Sequence, residues 1–308
     1  MSKPASLSGA GMNICVCVCT YRRHGLLQRL LTDLQKQATD GLFAYSVVVV
    51  DNDAVPSARP IVEEISEKAS VNIGYFHEPR RNISHARNLA VEKAVSDFVA
   101  FIDDDEFPAD RWLVNLYQAQ RRFKADGVLG PVIPHFAVEP PGWLVRSKLC
   151  ERPRLSTGSV VTNDRDTRTG NVLLAKDVLR REDGPFHPRF GTSGGGDKDY
   201  FMRMVGMRKK FVWCDEACVY ETVTLERYAC AYYIRRALVR GSVTARMEPL
   251  FGIGTAKSLL AVPLYAVALP FLQLIGHHFF MRYLIKECDH VGKLAARLGI
   301  NIVKDRPY

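Results

Sequence analysis

Four consecutive acids, Asp103, Asp104, Asp105 and Glu106, follow directly on the apolar run from Phe98 to Ile102. Carboxylates crowded at one point repel one another unless a positive charge lies between them, and a hard divalent cation is the usual answer. The competing reading is a solvated loop that caps a helix beginning near Asp110. A cap needs one acid, and four are present. Other polar groups collect in similar places. Thr20, Tyr21, Arg22 and Arg23 follow the apolar run 14–19, and Asp51, Asn52 and Asp53 follow 46–50. Arg81, Asn82, Arg87 and Asn88 surround the start of a helix-like segment, and Asp197 and Asp199 follow Gly194, Gly195 and Gly196.

The elements that must carry these groups alternate in periodicity. Short apolar runs at 14–19, 46–50, 71–76 and 98–102 read as buried strands. Between them, Leu26, Leu27, Leu30, Leu31 and Leu34 share one helical face, Ile61, Val62 and Ile65 mark a short helix after Pro60, and 84–95 reads as a third helix. This β-α-β-α-β-α-β order predicts an α/β fold with a parallel sheet covered on both faces, and ligands bind beyond the carboxyl ends of such strands. The prolines and glycines of 131–170 predict long loops over a substrate cleft.

At 308 residues, with 47% apolar and 24% charged, the chain has the composition of a folded protein. Its formal net charge of +9 is not gathered into long Lys/Arg runs, so phosphate on a metabolite or lipid is the expected partner, and nucleic acid is not. Eight cysteines form no CxxC pair. Cys15, Cys17 and Cys19 alternate along one strand and read as small core residues in a reducing compartment. The first eleven residues lack an apolar signal core, which places the bulk of the chain in the cytosol.

In order and spacing, Cys19-Thr20-Tyr21-Arg22-Arg23, Val50-Asp51-Asn52-Asp53, Arg81 to Asn88, Asp103 to Glu106, Thr169-Gly170-Asn171 and Gly194 to Phe201 resemble the inverting family 2 glycosyltransferases of GT-A (nucleotide-diphospho-sugar transferase) fold. The resemblance covers roughly 12–245 and is nearest to bacterial exopolysaccharide enzymes of the succinoglycan type. It implies a mostly parallel central sheet and transfer of a sugar from a nucleotide-diphosphate donor, UDP-glucose being one example. Asp51 or Asp53 would accept from the base, with Asp51 favoured, and Thr20, Tyr21 and Arg22 would line base and ribose. Asp103 would support the loop or nucleotide, Asp104 would approach the ribose, and Asp105 would bind Mn²⁺ or Mg²⁺ bridging the diphosphate. Arg81, Arg87 and Asn88 would face sugar or diphosphate. Asp197, with Asp199 as alternative, would deprotonate the acceptor hydroxyl. The family commonly has a Glu before this Asp; here it is Gly196. Trp213 would stack on a pyranose or sit in the core. Arg236 and Arg240 would hold a diphosphate of donor or lipid-linked acceptor.

These expectations divide the chain into a nucleotide-sugar half (1–125), an acceptor half (126–247) and a hydrophobic membrane-associating tail (248–308). No formal charge occurs over 258–281, and Lys257, Arg282 and Lys286 flank that stretch, which suits a helix crossing or lying on an anionic leaflet. Pro263, Pro270 and the pair His277-His278 interrupt it. The expected location is the cytoplasmic face of the plasma membrane, with a saccharide or polyprenyl-diphosphate-linked acceptor. A sugar nucleotidyltransferase would need a glycine-rich phosphate loop after the first strand, where only Gly25 is present. A non-catalytic membrane-surface protein would leave the acids without a task.

Overall fold

The computed structural model describes residues 11–163, 166–180, 184–191, 194–250 and 252–300. The expectation drawn from the extreme N-terminus therefore lies, but for residue 11, outside the described residues. The described residues fall into two compact units, one drawn from 1–133, 152–192 and 196–221, the other from 134–151, 193–195 and 222–308.

The first unit begins with β1 (Met12–Thr20), α1 (His24–Leu34), β2 (Phe43–Asp51), α2 (Arg59–Lys68), β3 (Asn72–His77), α3 (Ile83–Lys93) and β4 (Phe98–Ile102). There follow β5 (Glu106–Pro108), α4 (Trp112–Phe123), β6 (Gly127–Leu129) and β7 (Val132–His135). After α5 (Gly142–Ser147) come β8 (Asn171–Ala175), α6 (Lys176–Leu179), α7 (Gly196–Gly206), β9 (Phe211–Trp213) and β10 (Val219–Thr222). Seven strands form one sheet in the order β3-β2-β1-β4-β8-β6-β9, and three form a second in the order β5-β10-β7. The pairs β3-β2, β2-β1, β1-β4 and β6-β9 are parallel, while β8 runs antiparallel to both neighbours. The sheet is thus mostly parallel, as the resemblance implies, and its parallel part is the one that the strand runs predict.

Alternation along the strands sorts their side chains onto two faces. Ile14, Val16 and Val18 of β1 pack with Val47 and Val49 of β2 and the Leu27, Leu30, Leu31, Leu34 stripe of α1. Cys15 and Cys17 point the other way, into a cluster with Ala86 and Ala90 of α3 and Tyr200 and Phe201 of α7. All eight cysteines are free thiols. Every residue of β4 is buried, which explains why its sequence lacks alternation. Strand β4 therefore has nowhere polar to go until it leaves the sheet, and the acids begin there.

In the second unit α8 (Cys230–Met247), α9 (Ile253–Ile275) and α10 (His277–Arg297) follow one another, with α10 against both others. Leu144 of α5, Tyr233 and Ala237 of α8 and Met281, Ile285 and Cys288 of α10 make its core. Helix α9 runs through Pro263 and Pro270 and stops at Gly276, so His277 begins a new helix rather than interrupting an old one. Among the described residues it is the one helix long and apolar enough to cross a membrane.

Candidate functional site

Because β3, β2, β1 and β4 are parallel neighbours, their carboxyl ends open on the same edge of the sheet. Hydrogen bonds tie the four ends together. Thr20 Oγ1 at the end of β1 donates to Asp104 Oδ2 beyond β4 (2.8 Å). Arg22, held in a left-handed backbone conformation (φ 54°), lays a two-pronged fork on Asp53 beyond β2 (2.7 and 3.0 Å). Asn52 donates to the carbonyls of Glu78 and Arg80 and accepts from the backbone N–H of Asn82. The Asn82 side chain in turn caps α3 by accepting from Ser84 and His85 N–H. Asp51 is fully buried: its carboxylate accepts from the N–H groups of Asp53 and Ala58 and from Tyr75 Oη, so it shapes the loop after β2. Tyr21 presents its ring beneath two guanidinium groups, Arg22 at 5.2 Å and Arg81 at 4.9 Å.

The acidic run divides its labour. Asp104 and Asp105 are almost wholly buried and share a cation: Arg23 Nη1 donates to Asp104 Oδ1 (2.9 Å) and Asp105 Oδ2 (3.0 Å). Burial works against the guanidinium charge there, but Asp104 and Asp105 outweigh it and hold Arg23 above its ordinary pKa. Burial pushes Asp104 up too, opposed by Arg23. Asp103 has half its side-chain surface open, yet it lies among protein atoms that displace its hydration, and its carboxyl is pushed up to about 6. Its countercharge is Arg87, 3.7 Å away. Asn88 turns elsewhere and clasps the backbone of Phe186 through both amide atoms.

Glu106 accepts from Asp103 N–H and stands opposite Glu221 in the β5-β10 ladder. Like charges facing each other in a ladder are unfavourable, and burial together with Asp103 and Glu221 pushes Glu106 well above the carboxylate range. Two arginines compensate. Arg152 Nη2 meets Glu221 Oε2 at 2.6 Å. Arg168 is pulled down to about 10 by burial and by Arg152, against the attraction of Glu106, Glu221 and Asp197. The segment after Arg168 passes so close that a Cβ on Gly170 would lie 2.7 Å from Glu106 Oε1, so a larger residue there would push that carboxylate aside. Asn171 is interior scaffolding, bonded to Trp112 Nε1 and to the carbonyls of Pro131 and Ala217.

Gly194 and Gly195 take left-handed backbone (φ 80° and 89°) just before α7, whose first turn carries both candidate bases. Their surroundings differ. Asp199 lies among Arg203 Nε (2.9 Å), His187 Nδ1 (3.0 Å) and Arg189 Nη2 (3.5 Å). Asp197, half-buried, accepts from Lys198 N–H and sits in the field of Arg168. Trp213 is 1% exposed in the core, with its indole N–H on Asp215, and this corrects the stacking expectation: no ring face is left for a sugar. Arg236 and Arg240 belong to the second unit, where Arg240 forks onto Asp289 and Arg236 reaches Tyr232 Oη.

The profile described as Glycosyl transferase family 2 matches residues 15–203 of this chain. The chain belongs to that family. It is 34% identical over 237 residues to the succinoglycan biosynthesis protein ExoM of Rhizobium meliloti (strain 1021), an alignment that covers 77% of this chain and 75% of ExoM. Among solved structures, a mannosyltransferase from Pyrobaculum calidifontis in complex with GDP-Man and Mn²⁺ superposes with TM-score 0.62 at 18% identity, over 92% of this chain and 87% of that one. S. aureus TarS 1-349 in complex with UDP-GlcNAc gives TM-score 0.55 at 17% identity over 95% of both chains, and a longer TarS chain is matched over 55% of its length. These structures share the GT-A fold. The protein is a family 2 glycosyltransferase, which sets aside the sugar nucleotidyltransferase and non-catalytic readings.

Within this glycosyltransferase, the side chains of Asp104 and Asp105 are hard oxygen donors of the kind a divalent ion takes. Among the described residues no three His, Cys, Asp or Glu side chains converge as a metal-holding group. Asp104 and Asp105 share the cation of Arg23, and Mg²⁺-like ions are held by one or two carboxylates plus water and substrate phosphate. Sequence reasoning missed Arg23, Arg152 and Arg168 as site groups and gave Glu106 no task. Arg23 carried a weak signal, adjacent to Arg22 at a strand end; the others owe their places to pairings across the fold.

Proposed function

We propose that this glycosyltransferase moves a sugar from a nucleotide-diphosphate donor, a UDP-sugar such as UDP-glucose, to a saccharide or lipid-linked saccharide in polysaccharide biosynthesis, with inversion and with Mn²⁺ or Mg²⁺. The observation that carries the reading is the joining of three strand ends, those of β1, β2 and β4, through Thr20, Arg22, Arg23 and Asp104, on the same unit that sets Asp197 in the field of Arg168. Residues 1–125 bind the donor, 126–247 meet the acceptor, and 248–308 meet the membrane. Thr20, Tyr21, Arg22, Asp51 and Asp53 shape the base and ribose end, where Asp104 approaches the ribose and Asp103 supports the loop, and Arg81 and Arg87 face the sugar and diphosphate. Asp105 would hold the metal, which would supply stabilisation of the charge developing on the departing nucleoside diphosphate. Asp197 takes the acceptor hydroxyl proton as that oxygen bonds the anomeric carbon. The electron pair of the breaking C–O bond leaves with the diphosphate.

Asp199 is a weaker base candidate because Arg203, His187 and Arg189 already surround it. The name of the ExoM relative supports polysaccharide synthesis. The test is a thermal-shift and transfer screen of nucleotide sugars. One UDP-sugar with Mn²⁺ is expected to stabilise the protein by about 2.7 kcal/mol at a hundredfold excess over Kd, with a smaller effect when Mn²⁺ is left out. Lack of metal-dependent transfer with every common nucleotide sugar would overturn the reading.

A cytoplasmic-face membrane contact rests on α9. Its 23 residues span about 34 Å at ~1.5 Å per residue, against a hydrocarbon core of about 30 Å. Leu260, Leu264, Phe271 and Leu274 stand outward from it, each more than half exposed. The full chain is expected to pellet with vesicles containing anionic lipid, while Leu264→Lys with Phe271→Lys reduces the bound fraction severalfold. Equal pelleting of both proteins would remove α9 from the contact.

A further inference from the structure

Arg23 occupies an unusual position for an arginine: one nitrogen, Nη1, bonds two carboxylates of successive residues, Asp104 Oδ1 at 2.9 Å and Asp105 Oδ2 at 3.0 Å. Those carboxylates are only 5% and 7% exposed, whereas the Arg23 side chain is 36% exposed and so has an open side toward which it can move. The second oxygen of Asp104 is already engaged by Thr20 Oγ1 at 2.8 Å. Asp104 therefore offers a newcomer chiefly the oxygen that Arg23 holds.

We infer that Arg23 is an exchangeable cation, seated on Asp104 and Asp105 until the divalent ion arrives with the donor and then transferred to the diphosphate. The inference rests on the reading that Asp105 holds the metal. A divalent ion takes its oxygens at about 2.1 Å, far closer than the nitrogen of Arg23, so the two cations cannot share one seat. Two positive charges at adjacent positions also repel strongly where water is scarce. Once displaced, the guanidinium needs an anion, and its planar fork fits phosphate oxygens in two-point contact. The donor brings that phosphate together with the metal. Each charge thus keeps a partner: the carboxylates exchange arginine for metal, and the arginine exchanges carboxylate for phosphate. Arg22 is not equivalent, because two of its three donating nitrogens, Nε and Nη2, are fixed on Asp53 in a two-point fork. The consequence is a protein that takes up metal poorly by itself and well with nucleotide.

Mn²⁺ binding, followed by the loss of the free-ion electron paramagnetic resonance signal, tests this in the full-length protein with and without UDP. Without UDP, Arg23→Gln is expected to bind Mn²⁺ about tenfold more tightly than the parent, the order expected for removing one competing charge from a partly screened site. With UDP the advantage is expected to vanish or reverse, because the phosphate has lost its arginine. Mn²⁺ alone should also raise the Tm of Arg23→Gln more than that of the parent. Should Arg23→Gln fold poorly, recovery on adding Mn²⁺ supports the exchange, and failure to recover overturns it. Asp105→Asn separates the two levels. If Asp105→Asn loses Mn²⁺ binding with UDP while Arg23→Gln matches the parent without it, the exchange is wrong and the metal assignment stands. If Asp105→Asn binds Mn²⁺ as the parent does, the metal assignment itself fails and the exchange falls with it.

Discussion

Asp197→Asn is expected to bind donor as the parent does and to turn over about 10³-fold more slowly, within the range general-base removal costs. The substitution keeps the shape of the side chain and its capacity to accept from Lys198 N–H, so the first turn of α7 should be undisturbed. What disappears is the ability to take a proton from the acceptor hydroxyl. Donor contacts are assigned to the strand ends after β1, β2 and β4 and to Arg81 and Arg87 around the start of α3, none of which uses Asp197. Calorimetry of UDP with Mn²⁺ and a rate measurement under saturating donor therefore separate the two effects. Asp199→Asn gives the contrast. It leaves Arg203, His187 and Arg189 around a neutral amide, so its expected effect is lost stability of the α7 entrance, seen as a lower Tm. If Asp197→Asn fails to bind donor, its assignment as base is wrong. If instead Asp199→Asn keeps its Tm and loses turnover while Asp197→Asn stays active, the base is Asp199.

The contrast between these two acids shows which features a sequence carries openly. Strand β4 is legible because five buried residues in a row leave a plain apolar signature, and its four acids announce where it ends. The α1 stripe and the β1-to-β4 order are legible for the same reason: burial imposes a period, and the period is written in residue types. The environment of a carboxylate is not periodic. Nothing in the sequence near Asp199 says that His187 and Arg189, from the segment before α7, lie against it. Glu106 and Glu221 are 115 positions apart and become neighbours only because β5 and β10 pair in that register. Trp213 reads equally well as a sugar platform or a core residue until β9 is placed beside β6, which buries it. Arg22 and Arg23 look interchangeable in sequence. The left-handed turn at Arg22 sends one toward Asp53 and leaves the other facing Asp104 and Asp105.

Asp105→Ala is expected to abolish the Mn²⁺ dependence of donor binding and to lower kcat/KM by about 10³-fold, the several kcal/mol that a metal supplies to a developing charge. The fold should tolerate the change. Arg23 keeps Asp104 as partner at 2.9 Å, so no buried charge is stranded. Removing one carboxylate also relieves repulsion on Asp103, Asp104 and Glu106, each of which Asp105 pushes toward the protonated form. The Tm without ligand should therefore stay level or rise, in contrast to the usual cost of altering a buried charge. Titrating UDP into parent and variant at zero and saturating Mn²⁺ reads the effect directly. The parent should gain affinity with metal; the variant should give one affinity in both. A fall in donor affinity with the Mn²⁺ dependence intact would mean that Asp105 touches the nucleotide without holding the metal. The remaining half-exposed acid of the run, Asp103, would then be the better ligand, and Asp103→Ala should remove the dependence that Asp105→Ala had spared.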